Sequence, residues 1–320
     1  MDSCSKHREV EMKAVGWQLW KEYRVIIDLL WAAVFAPVLA AYRQGLNLKV
    51  TKSGKKAGRR AVITDRVVVN TVLYVMITGT IWNSVYPDKD GELCLGNTAH
   101  HVFSKWKKAG VWDQIFESAL YFFNRICPIT FNWSAIDGTK AKAIFGGECT
   151  GRNPTDRGFL GTKISLMVEL AYGLIVSMYY VGANVHDSKC LEATFKAVSI
   201  EPPATGEKHV CLDNAYQGMA EVCRAQGYIP HICPRGEERR AKLQDPTHIN
   251  RRWIGERTND WFKTPRKVGR RFEKTIESYV ALGCLSATMI ALRTLFRQGI
   301  LKDPSYTFSW PKHRGGERAA

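Results

Sequence analysis

The 320-residue sequence lacks several features that would place it in familiar classes. None of its nine cysteines forms a CxxC pair, and their number is odd. Dispersed thiols of this kind argue against a disulfide scaffold or a cysteine-based zinc site, and they suit a reducing cytosol. No GxxxxGK[ST] motif occurs, which excludes a P-loop. No uninterrupted apolar run reaches the about 20 residues of a bilayer span. The nearest stretch, residues 25–42, is broken by Asp28 and Pro37 and reads as a buried helix. No basic start leads into an apolar run and cleavage site, so a cytoplasmic protein without membrane attachment is expected.

Acidic side chains are also scarce. There are 30 Asp+Glu against 46 Lys+Arg, a formal net charge of +16. The hydrophobic share of 45% is that of an ordinary globular chain with a real core. The basic excess favours polyanionic partners, because each neutralised phosphate releases condensed counterions. Nucleic acid is the first candidate and an anionic membrane the second; charge alone does not choose between them.

Along the chain, residues 1–48 read as an N-terminal helical segment and 49–63 as a basic, glycine-containing linker. Residues 64–130 carry helical periodicity. Thr64 and Asp65 can cap a helix bearing Val68, Val69, Val72, Leu73 and Met76, and Gly79 can stop it. Further helices are expected from Thr98 and near Val111. This region suits a helix-turn-helix unit that binds DNA ends, and a plain helical bundle has the same pattern.

After Trp133 the period changes to that of strands. Strands are expected at 133–140, 163–170, 174–181, 209–212 and 228–233, with helices at 187–197, 216–226 and from 251 almost to 297. A strand, a hairpin and then alternating helices and strands is the order of an RNase H-like α/β fold. The expectation is a mixed five-stranded sheet with flanking helices over 131–300, preceded by the helical region and followed by a tail, 301–320.

Asp137 and Asp213 each end an apolar strand, and in that fold the two strands are neighbours. Facing carboxylates repel unless a cation lies between them, and oxygen-only ligands suit Mg²⁺ or Mn²⁺. Glu256 lies on a later helix. At 100° per residue, Arg252, Glu256 and Lys263 fall within roughly 40° of one another, so a carboxylate is flanked by two cations. Asp260 shares that face as a rival third ligand. Taken singly, such an Asp is often a turn residue and such a Glu half of an ion pair. Asp187 reads as a helix cap rather than a catalytic group. Arg152, Arg157 and Lys163, in and after the glycine-rich loop 146–161, can touch a DNA backbone; solvated charges on a plain connection explain them equally well.

Several stretches together carry a family resemblance. They are residues 64–66 and 73–82, Trp106 with Gly110–Trp112, Ile136–Thr139, and Gly146–Gly147 with Thr150–Gly158 and Gly161–Lys163. Gly182–Asp187, Leu212–Tyr216 and Arg252–Trp253 with Glu256–Arg257 complete the series. Each is short, but their order and spacing are specific, and they span most of residues 60–297. In them the chain resembles the bacterial insertion-sequence transposases of family five, within the insertion-sequence-four-like group. The resemblance implies a DDE-type transposase with Asp137, Asp213 and Glu256 as its acidic triad. That triad would hold two Mg²⁺ or Mn²⁺ ions. It implies double-stranded DNA as partner, both terminal inverted repeats and target, and a homodimer that pairs two ends in the bacterial nucleoid. Arg252, Glu256 and Lys263 match the family's Y-R-E-K signature, with Ile249 standing where that signature has tyrosine. Arg252, Lys263 and Arg257 are then candidate DNA contacts. Two other readings remain: an RNase H-like nuclease that joins nothing, and a non-catalytic DNA-binding protein derived from a transposase.

Overall fold

The computed structural model describes residues 27–28, 30–45, 63–232 and 252–299. Residues 49–62 of the linker expected at 49–63, the tail 301–320, the first 26 residues and Ile249 lie outside the described residues.

One mixed sheet organises the molecule. Its strands are β1 (Trp133–Ala143), β2 (Gly151–Arg152), β3 (Leu160–Glu169), β4 (Leu174–Gly182), β5 (His209–Leu212), β6 (Ile229–Ile232) and β7 (Arg270–Arg271). β3 pairs antiparallel with both β1 and β4, while β5 runs parallel to β1 and β6 parallel to β5. The five longer strands thus follow the order β4-β3-β1-β5-β6, an RNase H-like fold. The expected five strands are present, and the sheet has seven because β2 and β7 add two residues each. Such short strands show no alternation that a sequence could reveal. β7 is fixed by Arg271, which is fully buried and donates to Thr162 Oγ1 (2.6 Å) and to the carbonyls of Glu148, Glu273 and Lys274.

β1 is the central strand, and its two edges differ. One edge is paired with β3 from Ser134 to Lys142. The other pairs with β5 only over Trp133–Ala135 and with β7 only over Lys142–Ala143. Among the described residues, no strand pairs with that edge over residues 136–141.

The helices are α1 (Ala36–Gly45), α2 (Asp65–Thr78), α3 (Gly96–Lys108), α4 (Val111–Ile126), α5 (Leu191–Lys196), α6 (Ala220–Ala225), α7 (Arg252–Lys263), α8 (Arg266–Gly269) and α9 (Ile276–Arg297). α2 begins and ends as its sequence dictates. Thr64 Oγ1 accepts from Val67 N (3.4 Å), and Gly79 takes φ 73°, a left-handed conformation that a side chain disfavours. Val68, Val69, Val72, Leu73 and Met76 are all buried. α3 and α4 meet through Phe103, Trp106 and Trp112, with ring centroids 5.4 Å and 5.6 Å apart. α4 then packs along α9, and the buried apolar residues from Ile27 to Leu295 form one cluster. Among the described residues, α9 alone is long and apolar enough to cross a bilayer, yet 89% of its most apolar stretch is buried in the protein.

Candidate active site

Side chains alternate along β1, which sorts its residues onto two faces. Ala135 and Asp137 face α7. A Cβ built on Gly255 would come within 3.2 Å of Ala135 Cβ, and Asn259 Nδ2 donates to Asp137 Oδ2 (2.9 Å). Thr258 Oγ1 bonds to Gly173 O (3.3 Å) in the β3–β4 turn, so α7 is tied to the sheet at both points. Ser134, Ile136 and Gly138 face the other way, towards α5, whose Thr194 hydroxyl donates to Ser165, the partner of Gly138.

Asp137 lies mid-strand, at the start of the unpaired edge. Its Oδ1 accepts from Gly138 N (2.8 Å). Ala135 and Cys211 are the last partners of β1 and β5, and Asp137 and Asp213 follow each by two residues. Asp213 keeps an extended backbone (φ −83°, ψ 178°), so the two carboxylates leave neighbouring strands on the same face. Asp213 also caps the turn Asn214–Tyr216, accepting from Ala215 N (2.9 Å). The Tyr216 ring is fully buried beside this pair. Burial, with the carboxylates of Asp187, Asp137 and Asp213 nearby, pushes its phenol well above the usual tyrosine range.

Glu256 is exposed on α7, one turn before Asn259. At 100° per residue, Asn259 lies about 60° from Glu256 and about 40° from Lys263, beside the face expected to bear the third acid. Among the described residues, no three His, Cys, Asp or Glu side chains converge as a ready-made metal cluster. The rival Asp260 is solvent-facing and pairs with Lys263 (3.7 Å). Arg252 opens α7. Arg257 stacks between Trp253 (4.6 Å) and Trp261 (4.5 Å), and its Nε is buried with no hydrogen-bond partner. Burial, with Arg297 nearby, lowers the pKa of its guanidinium.

The three cations associated with the loop differ in setting. Arg152 and Arg157 are exposed. Lys163 is only 2% exposed and lies inside, paired with Asp187 (2.9 Å) and donating to Val185 O (2.5 Å). Asp187 is not the helix cap that its sequence position indicates. His186 takes that place, its Nδ1 accepting from Ser188 N (3.4 Å), and the Asp187 carboxylate turns towards Gly138. Sequence reasoning missed Asn259, although its helical phase, about 20° from Arg252 and about 40° from Lys263, was available as a signal. It also missed Tyr216, whose role is visible only once strand ends meet.

The family models fit this architecture. Residues 46–116 match the family model of the IS4/5-family transposase (DUF4096), and residues 133–290 match the transposase DDE domain. A Burkholderia cepacia protein named as the transposase for insertion sequence element IS402 is 29% identical over 214 residues, 64% of this chain and 89% of its own length. A 16.2 kDa uncharacterized protein of the same element is 28% identical over 97 residues, covering 30% of this chain and 63% of its own. A cryo-EM structure of the piggyBac transposase synaptic complex with hairpin DNA aligns at 12% identity and TM-score 0.31, over 62% of this chain and 53% of its own. With the two family models matching in series, the chain belongs to the IS4/5-type insertion-sequence transposases.

Proposed function

We propose that the chain cleaves the ends of an insertion sequence and joins them to target DNA, using two Mg²⁺ or Mn²⁺ ions held by Asp137, Asp213 and Glu256. The observation that carries this reading is the parallel pairing of β1 with β5, whose register sends Asp137 and Asp213 to one face, with α7 held against Asp137. The donor set fits the ions: all three side chains offer only oxygen, as hard divalent cations require. Glu256 lies about one helical turn from Asn259, the residue of the same helix that touches Asp137. Two such ions would stabilise the attacking and leaving oxygens of an in-line displacement.

The protein's own groups supply position and charge. Asn259 orients Asp137 through a neutral amide. Arg252, Arg257 and Lys263 are the cations on or beside the Glu256 face that would hold phosphates near the cut. Arg152 and Arg157 would meet the DNA backbone further out. Two ends must meet for joining, so a homodimer on DNA in the bacterial cytoplasm belongs to the same reading.

The test is incubation of the full chain with its terminal-repeat DNA and a target plasmid in Mg²⁺. Cleaved ends and joined product are expected, and both should vanish in Asp137→Ala. Cleavage without joined product would favour a plain nuclease. Undiminished activity of Asp137→Ala would overturn the catalytic assignment.

A further inference from the structure

The reverse face of β1, behind Asp137, holds a buried ion pair that the reaction outlined above does not use. Gly138 points to that face. A Cβ built there would come 2.2 Å from Asp187 Oδ1, so the Asp187 carboxylate fills the space a side chain would take. Asp187 in turn binds Lys163 Nζ at 2.9 Å, and Lys163 also donates to Val185 O. The Lys163 side chain is 3% exposed and that of Asp187 26%. Tyr216, fully buried, has its hydroxyl near Ser165 without a hydrogen bond of normal geometry. Gly138 directly follows Asp137, so the pair lies behind the site across the thickness of one strand.

A buried ion pair is a poor source of stability, because desolvation offsets most of the attraction, and apolar residues would fill the space as well. Its position has a consequence instead. We propose that Lys163 and Asp187 form a positioning pair, clamping the β1 backbone at Gly138 from behind and so fixing the aim of Asp137. The pair ties together β1, β3 and the segment after β4, and Asp137 is the next residue from the point of contact. This rests on the reading of Asp137 as a metal ligand.

The test measures Mn²⁺ binding to the DNA-free full chain by electron paramagnetic resonance, alongside thermal unfolding. Asp187→Asn leaves the Lys163 ammonium buried and unpaired, so its Tm is expected to fall. The deciding variant is the double Lys163→Met/Asp187→Asn, which leaves net charge unchanged and no lone buried ion. It is expected to keep the wild-type Tm and to bind Mn²⁺ about tenfold more weakly, the lower end of losses seen when groups supporting metal ligands are removed. Gly138→Ala, which displaces the Asp187 carboxylate, should weaken binding likewise. Wild-type Mn²⁺ affinity in the double variant would overturn the proposal. So would a loss of affinity accompanied by a fall in its Tm, which would mark the pair as merely structural. Asp137→Asn is the control: if it bound Mn²⁺ as the wild type does, the metal reading itself would fail.

Discussion

Asp137 has both carboxylate oxygens engaged, one by its neighbour's amide and one by Asn259. Replacing Asn259 by Ala removes its hydrogen bond to Oδ2 without adding charge. The expected result is a strand-cleavage rate about 10–100-fold lower, the range for lost groups that orient metal ligands, with Tm little changed. A second residue sets a pH dependence away from the site. Glu169 is fully buried; its Oε2 accepts from Tyr172 N (3.1 Å), while Oε1 has no hydrogen-bond partner. Burial raises its pKa to about 7 from 4.5, against the pull of the Tyr172 and Ala171 amides. The folded state therefore holds a proton that the unfolded chain releases. The associated stability is full below pH 4.5 and is lost as pH rises through about 7. Glu169→Gln should abolish this loss, making the variant more stable than wild type at pH 8 by about 3 kcal/mol in urea unfolding. At this scale the sequence singled out the two aspartates because each follows an apolar run, although Asp137 lies within β1 and not at its end. It misled on Asp187, because a carboxylate at a helix start resembles a cap until the neighbouring His186 is seen to take that role. Asn259 stayed hidden because a neutral amide on a charged helix face attracts no electrostatic argument.

At the scale of elements, α7 can approach β1 closely because Gly255 carries no side chain. A Cβ there reaches 3.2 Å from Ala135 Cβ, and anything larger must push the helix outward. Gly255→Val should cost about 1–3 kcal/mol by overpacking. It should also reduce cleavage beyond what that destabilisation explains, because Asn259 and Glu256 ride on the same helix; calorimetry and a cleavage assay on one preparation would show both. α9 contributes differently. Leu285 is fully buried in the common core, and Leu285→Ala should cost about 2–5 kcal/mol. The main strands and helices were legible because each carries enough residues to display its period. The helices expected at 187–197 and 216–226 instead begin as short 3-10 turns, at Asp187–Cys190 and Asn214–Tyr216, before α5 and α6. β2 and β7 were not legible, since their place depends on long-range partners such as Arg271.

For the whole molecule, the net charge of +16 governs how DNA is met. Affinity for nonspecific duplex should fall steeply between 50 and 200 mM salt, by about 10³-fold or more if some six phosphates are contacted, and titration of labelled DNA would measure it. A nearly salt-independent affinity would contradict electrostatic binding. The family resemblance was also readable at this scale, because order and spacing of weak motifs accumulate over the chain where no single motif suffices. What could not be read was the shape of the sheet at its working edge. β1 is flanked there by β5 before Asp137 and by β7 beyond residue 141, leaving six residues, about 20 Å, without a strand partner among the described residues. Along that edge the main-chain N–H and C=O groups are not taken up by a neighbouring strand, so side chains, water or a bound partner must satisfy them. On the proposed reading, any bending or fraying that brings a DNA end to this edge would be a cost met out of binding energy, so a pre-frayed end should bind more tightly than an intact one.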